Sequence, residues 1–123
     1  MIAVLKVINE IMQQLGIHYE YMEWTSDIVY PYFVGEYVET PIETEDGLKE
    51  STFILTGFTR GTWIELEQIK EKIENLFHNG YEAIIDNKSG VAVFYGDSQP
   101  IRQENESLKK IQINLEIKEW KVN

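Results

Sequence analysis

Two histidines, His18 and His78, and a crowd of carboxylates between Glu36 and Glu50 are the side chains of this 123-residue chain best suited to chemistry. Histidine titrates closest to neutrality and is a common base or metal ligand. In His18-Tyr19-Glu20 the period of two in a strand puts His and Glu on the same side, a pair that can hold a metal. No third ligand stands near it at a spacing that metal sites use. His78 falls in the last turn of a helix, where a partly charged imidazole favours the dipole. The acids Glu36, Glu39, Glu43, Glu45, Asp46 and Glu50 come without the Asp, Asn and Gly spacing of a calcium loop. A general acid also needs an apolar pocket to raise its pKa, and these carboxylates sit among other charges. They read as a solvated arm or as a recognition surface, with Ile42 and Leu48 as its apolar points. The interaction residues on this reading are Glu36, Glu39, Ile42, Glu43, Glu45, Asp46, Leu48 and Glu50; none is assigned to catalysis, a cofactor or a metal.

Gly57 and Gly61 flank Phe58-Thr59-Arg60 with no following Lys-Ser and no third glycine, so they do not make a phosphate loop. Gly57 suits a bulge or close packing within a strand. Tyr19, Tyr21, Trp24, Tyr30, Tyr32, Phe33 and Tyr37 are dense in one third of the chain. Base-stacking platforms come with a basic groove, and this region is acidic; core packing or an intersubunit surface fits better. An enzyme is not expected.

Composition points the same way. Twenty-one acidic and 11 basic residues give a formal net charge of −10, which argues against a phosphate-binding surface and for a basic partner. With no cysteine there is no disulfide framework, thiolate zinc site or cysteine nucleophile. No apolar run approaches the roughly 18 residues of a membrane span, and Met1 to Leu5 lacks a signal-peptide pattern. The chain reads as soluble, unexported and a single domain over 1–123.

The elements that must position these residues are led by a strand from Ser51 to Arg60, a Gly61 joint and a helix from Thr62 to Phe77. Thr62 is a natural N-cap, and Glu65 can reach back to its amide in a capping box. Leu66, Ile69, Ile73, Leu76 and Phe77 share one helix face, and Asn79-Gly80 ends the helix. Phe53 to Phe58 has apolar side chains pointing both ways, which predicts a central strand covered on both faces. One cover is this helix, and the other is a second helix or another subunit. Ile2 to Leu15 carries Leu5, Ile8, Met12 and Leu15 at helical spacing, widened by Val4 and Ile11 and closed by Gly16; it is the expected second cover. Ile17 to Trp24 alternates as a strand. Tyr30 to Val38 is another, with Pro31 marking an edge or a strand beginning. Glu36 to Glu50 reads as the exposed arm or long hairpin. Tyr81 to Asp86 and Val91 to Tyr95 flank a turn at Asn87 to Gly90, and Gly96 to Glu106 reads as a loop broken by Pro100. Ile111, Ile113, Leu115 and Ile117 alternate strictly with polar residues in the last strand, and Glu119-Trp120 breaks that register at a bulge or strand end.

This order of elements resembles the tail-terminator and tail-completion (head-to-tail joining) proteins of long-tailed bacteriophages and prophages. Its most specific pieces are Tyr30-Pro31-Tyr32-Phe33-Val34 followed by Gly35-Glu36-Tyr37, the Gly61 joint with its capped helix, and the Ile111 to Ile117 strand. The resemblance implies an α+β domain with two helices on a mainly antiparallel sheet. It implies a homo-oligomeric ring, typically a hexamer, that caps the tail tube and joins it to the head connector in the virion after synthesis in the bacterial cytoplasm. It implies no enzymatic activity, no cofactor and an acidic lumen past which DNA slides without binding, which suits the charge. The rival is a small acidic inhibitor or immunity-type protein that meets a basic partner through the 36–50 arm.

Overall fold

A computed structural model describes residues 1–39, 48–85, 89–102 and 107–121. Its elements in chain order are α1 (Ile2–Gln14), β1 (Tyr19–Tyr21), β2 (Tyr32–Glu39), β3 (Leu48–Thr59), α2 (Trp63–Phe77), β4 (Tyr81–Ile84), β5 (Ser89–Ile101) and β6 (Lys109–Lys121). The strands form one sheet in the order β1-β2-β3-β6-β5-β4. Every neighbouring pair is antiparallel except β1 with β2. The fold is α+β, two helices and a six-stranded, mostly antiparallel sheet.

The helix ends follow from local chemistry. Gly16 takes a left-handed φ of 71°, its N–H donates to Gln13, and that of Ile17 donates to Met12, so the last carbonyls of α1 are satisfied in a Schellman arrangement. Thr62 accepts from the Glu65 amide at 3.3 Å and starts α2, and Gly80, at a φ of 87°, follows its end. The reciprocal half of the expected capping box is replaced. Glu65 accepts instead from the Thr59 hydroxyl at 2.9 Å, and the Thr59 oxygen accepts from Gly61 N–H at 3.0 Å. A Cβ at Gly61 would run into the Glu65 carboxylate. Glycine at the joint thus leaves the Glu65 carboxylate its place beside Thr59.

Both helices lie on one face of the sheet. Val4, Ile8, Ile11 and Met12 of α1 and Leu66, Ile73 and Phe77 of α2 share a single buried cluster with Phe33, Phe53, Leu55, Val91, Val93 and the odd-numbered residues from Ile111 to Ile117. The even-numbered residues of β3 and β6, on the opposite face, are half-buried or exposed. The expectation that one helix would cover each face is thus corrected. The first helix is tied to its neighbour by the short turn through Gly16, and its apolar stripe finds the same core as α2. The centre of that stripe is Val4, Ile8, Ile11 and Met12, with Leu5 and Leu15 at its margins.

Several strand boundaries differ from the expected ones. β1 ends at Tyr21, because Met22 turns into a left-handed φ of 68° and the Glu20 carboxylate gathers Thr25 and Ser26. β2 and β3 take 36–39 and 48–50 into the sheet, leaving 40–47 outside the described residues. β5 runs through the expected loop to Ile101, since β6 supplies its ladder; the register slips at Gly96, the extra residue of a bulge. Pro100 is tolerated there because β4 ends short and the proline nitrogen faces an open edge. β6 continues without a break through Glu119 and Trp120, paired to Lys49 and Leu48. Pro31 stands just before β2, an inner strand, and so marks a strand beginning.

Gly57 lies in unbroken register between Phe33 and Ile111, with no bulge. The Phe33 ring covers it where a Cβ would stand, and Trp120 covers Gly90 in the same way. A ring laid over a glycine on the next strand restores the apolar contact that the missing side chain cannot make.

Candidate interaction surface

The uncovered sheet face carries the arrangement with the most capacity for recognition. At one corner Tyr32 stacks on Phe58 with centroids 5.0 Å apart, and Trp24 and Tyr30 lie 4.8 and 5.7 Å from Tyr32. Two cations border these rings. Lys110 Nζ sits 5.5 Å from the centre of Phe58, and the Arg60 guanidinium sits 5.9 Å from Tyr30 while its Nε donates to the Tyr30 oxygen at 3.1 Å. Met22, Glu23, Val34, Glu36 and Thr56 complete a shallow concavity of about 300 Å³ there. Burial and the neighbouring Tyr30 push the Tyr32 hydroxyl pKa up, partly opposed by Arg60. At the far corner Lys118 lies over Phe94. Between the corners the surface is polar: Thr52 donates to Glu116, Gln112 to Asn114, and Asn114 to Asp97.

The expected interaction residues divide over this frame. Glu36 is exposed beside the aromatic concavity. Glu39 points to the helix-covered face and pairs with Lys49. Leu48 opens β3 opposite Trp120, and Glu50 is exposed opposite Lys118. Ile42, Glu43, Glu45 and Asp46 lie outside the described residues. Alternation in β2 and β3 therefore splits acids that stand close in sequence between two faces of the sheet.

His18 and Glu20 part company. His18 precedes β1 and lines a cleft of about 570 Å³ against α2, together with Glu65, Glu71 and Lys72. Glu20 accepts from the Thr25 hydroxyl at 2.6 Å and from the amides of Thr25 and Ser26 at 3.3 Å, and these bonds, led by the Thr25 hydroxyl, hold its pKa below the usual carboxylate range. Among the described residues no three His, Asp or Glu side chains gather as a metal site. Although the cleft is larger than the concavity, its Glu65 is already committed to Thr59. His78 caps the C-terminal end of α2. Among the described residues no helix is long and apolar enough to cross a membrane.

Sequence reasoning missed several groups. Lys110 and Arg60 are remote in sequence from Trp24 and Tyr30, so only strand order shows that the aromatic cluster has a cationic border. Among the described residues, Tyr19 Oη, Ser51 Oγ and Glu119 Oε2 are buried and find no hydrogen-bond partner. Glu119 continues the odd-numbered series of Ile111 to Ile117, and that signal is present in the alternation itself.

The surface defines a class only: an α+β domain with both helices on one sheet face and, among the described residues, no helix on the other, which is patterned with rings and paired charges. No protein-family model matches this sequence, and no curated protein matches it.

Proposed function

We propose that the chain is a non-enzymatic structural protein of a phage or prophage tail, a subunit of a ring that terminates the tail tube and joins it to the head connector. The observation that carries this reading is the one-sided packing of the sheet. A face bearing Trp24, Tyr32, Val34, Ile54, Phe58 and Phe94 has apolar area to bury that neither helix covers. Aromatic side chains of this kind are enriched where subunits meet. The charge of −10 supports the reading from another side, because an acidic ring repels the DNA that passes through it.

The test is assembly. Light scattering on the purified chain, alone at high concentration and mixed with isolated tail tubes, is expected to report a closed oligomer, and electron microscopy is expected to show a ring at one tube end. Monomer under both conditions overturns the reading, and tight one-to-one binding to a basic enzyme would favour an inhibitor instead.

A further inference from the structure

β4 ends the sheet, with β5 on one side and no strand among the described residues on the other. Ile85 N–H donates to the Ser89 carbonyl at 3.0 Å. The odd residues of β4 therefore bond to β5, and the N–H and C=O groups of Glu82 and Ile84 point outward. This strand lacks the devices that blunt an edge: Tyr81–Ile84 contains no proline or lysine and pairs with β5 without a bulge. The helix α2 packs chiefly over β3, β5 and β6, back from this edge. On the uncovered face Ile84 is 84% exposed, and on the covered face Tyr81, Ala83 and Ile85 pack against the core yet stay half-buried. Both faces of the edge thus have apolar surface left to bury. The opposite edge is taken in part by β1, and the free stretch of β5 carries Pro100.

We infer that β4 pairs with β4 of a second copy across a two-fold axis normal to the sheet. Such an axis sets the two strands antiparallel and keeps the helix-covered faces on one side, so the sheet continues from one copy into the other. Parity fixes the register. Outward residues must oppose outward residues, because such a pair exchanges both of its backbone hydrogen bonds. With Ala83 facing its own counterpart at the axis, Glu82 of each copy opposes Ile84 of the other, and every outward group of β4 is used. Centring on Glu82 would draw in Gly80, which holds a left-handed φ of 87°, and centring on Ile84 would run past the end of the strand. The side chains suit the same register. On the covered face Tyr81 meets the partner's Ile85, an aromatic and β-branched pair, and the small Ala83 permits the close approach of a non-hydrogen-bonded pair. On the uncovered face the two Ile84 side chains become diagonal neighbours. The two Glu82 carboxylates are diagonal as well, a repulsion that salt screens. The contact joins a patch to itself and closes at two copies. It does not rest on the ring reading, and it leaves the aromatic corner, at the other end of the sheet, free for the head-to-tail contacts of a ring.

The chain has no cysteine, so a single substitution probes the axis. In this register the two copies of residue 83 stand about 4.5 Å apart at Cα, within disulfide reach. Under mild oxidation Ala83→Cys is expected to run as a covalent dimer, and nothing larger, on a denaturing gel. Val38→Cys, at an exposed site on β2, is expected to stay uncross-linked. Ile84→Pro removes an outward N–H from each copy without touching the β4–β5 ladder. It should weaken dimerisation in sedimentation about tenfold, with an unchanged circular dichroism spectrum. If Ala83→Cys gives no covalent dimer, if Val38→Cys cross-links equally well, or if Ile84→Pro dimerises like wild type, the inference is overturned, whatever rings form on tail tubes. A cross-linked dimer with no ring on tail tubes leaves this contact in place and overturns the ring reading alone.

Discussion

The Thr59 hydroxyl donates to the Glu65 carboxylate at 2.9 Å across the joint between β3 and α2. Thr59 is fully buried, and its oxygen also takes the Gly61 N–H. One side chain thus ties the strand end, the glycine joint and the first helical turn together. Thr59→Val keeps the shape but leaves Glu65 and Gly61 without this partner, and it should cost about 1–2 kcal/mol in denaturant unfolding. Thr62→Ala removes the cap acceptor and should cost about 1 kcal/mol. Because both act on the same turn, the double variant should lose less than the sum.

Gly57 tests the packing of the covered face. A methyl group there collides with the Phe33 ring, which is itself fully buried. Gly57→Ala should destabilise by about 1–3 kcal/mol by overpacking, despite alanine's smaller entropy loss on folding. Adding Phe33→Leu should recover part of that loss. A thermal melt in which the single variant matches wild type would place the ring elsewhere.

Glu20 makes the turn after β1 sensitive to acid. Its folded pKa is depressed by the bonds from Thr25 and Ser26, so its contribution to stability is present above the unfolded value of about 4.3. That contribution is lost as pH falls through the lower folded value. Trp24 donates to the Asp27 carbonyl within the same turn, so its fluorescence should change in that acid window. Glu20→Gln should abolish the acid step while leaving the neutral-pH fold in place. A transition at the same pH in both proteins would assign it to another group.

Association between copies should strengthen as salt rises. Each copy carries a formal −10, and the Debye length shortens from about 10 Å at 0.1 M to about 3 Å at 1 M. Repulsion is screened over that range while apolar burial is not. Sedimentation across it should show the assembled fraction increasing. A decrease would mean that attractive ion pairs dominate the contact.

Much of the fold was legible because it rests on local rules. The heptad-like spacing from Val4 to Met12, the Gly16 and Gly80 terminators, the Thr62 cap and the alternation from Ile111 to Ile117 each depend on a few neighbouring residues. Those residues set backbone conformation wherever the segment ends up. Strand lengths were less legible, because a partner strand decides them. β6 draws Asp97 to Ile101 into pairing that their polar composition does not suggest, and it continues through Glu119 although a buried carboxylate argues against it.

What the chain determined by itself was therefore the list of elements, their amphipathic faces, the caps that bound the helices and the acidity that any partner meets. Which face of the sheet each helix covers was decided only by tertiary structure. A stripe such as Ile8 and Met12 encodes the need for burial but not the side on which it is met. The same holds for the surface. Arg60 and Lys110 reach Tyr30 and Phe58, and Glu36 and Glu39 are sent to opposite faces, because strand order and pleat set neighbours that sequence distance does not. Local chemistry acts over a few residues, whereas a sheet is built from contacts between distant ones, and its open edges exist only once the strand order is set.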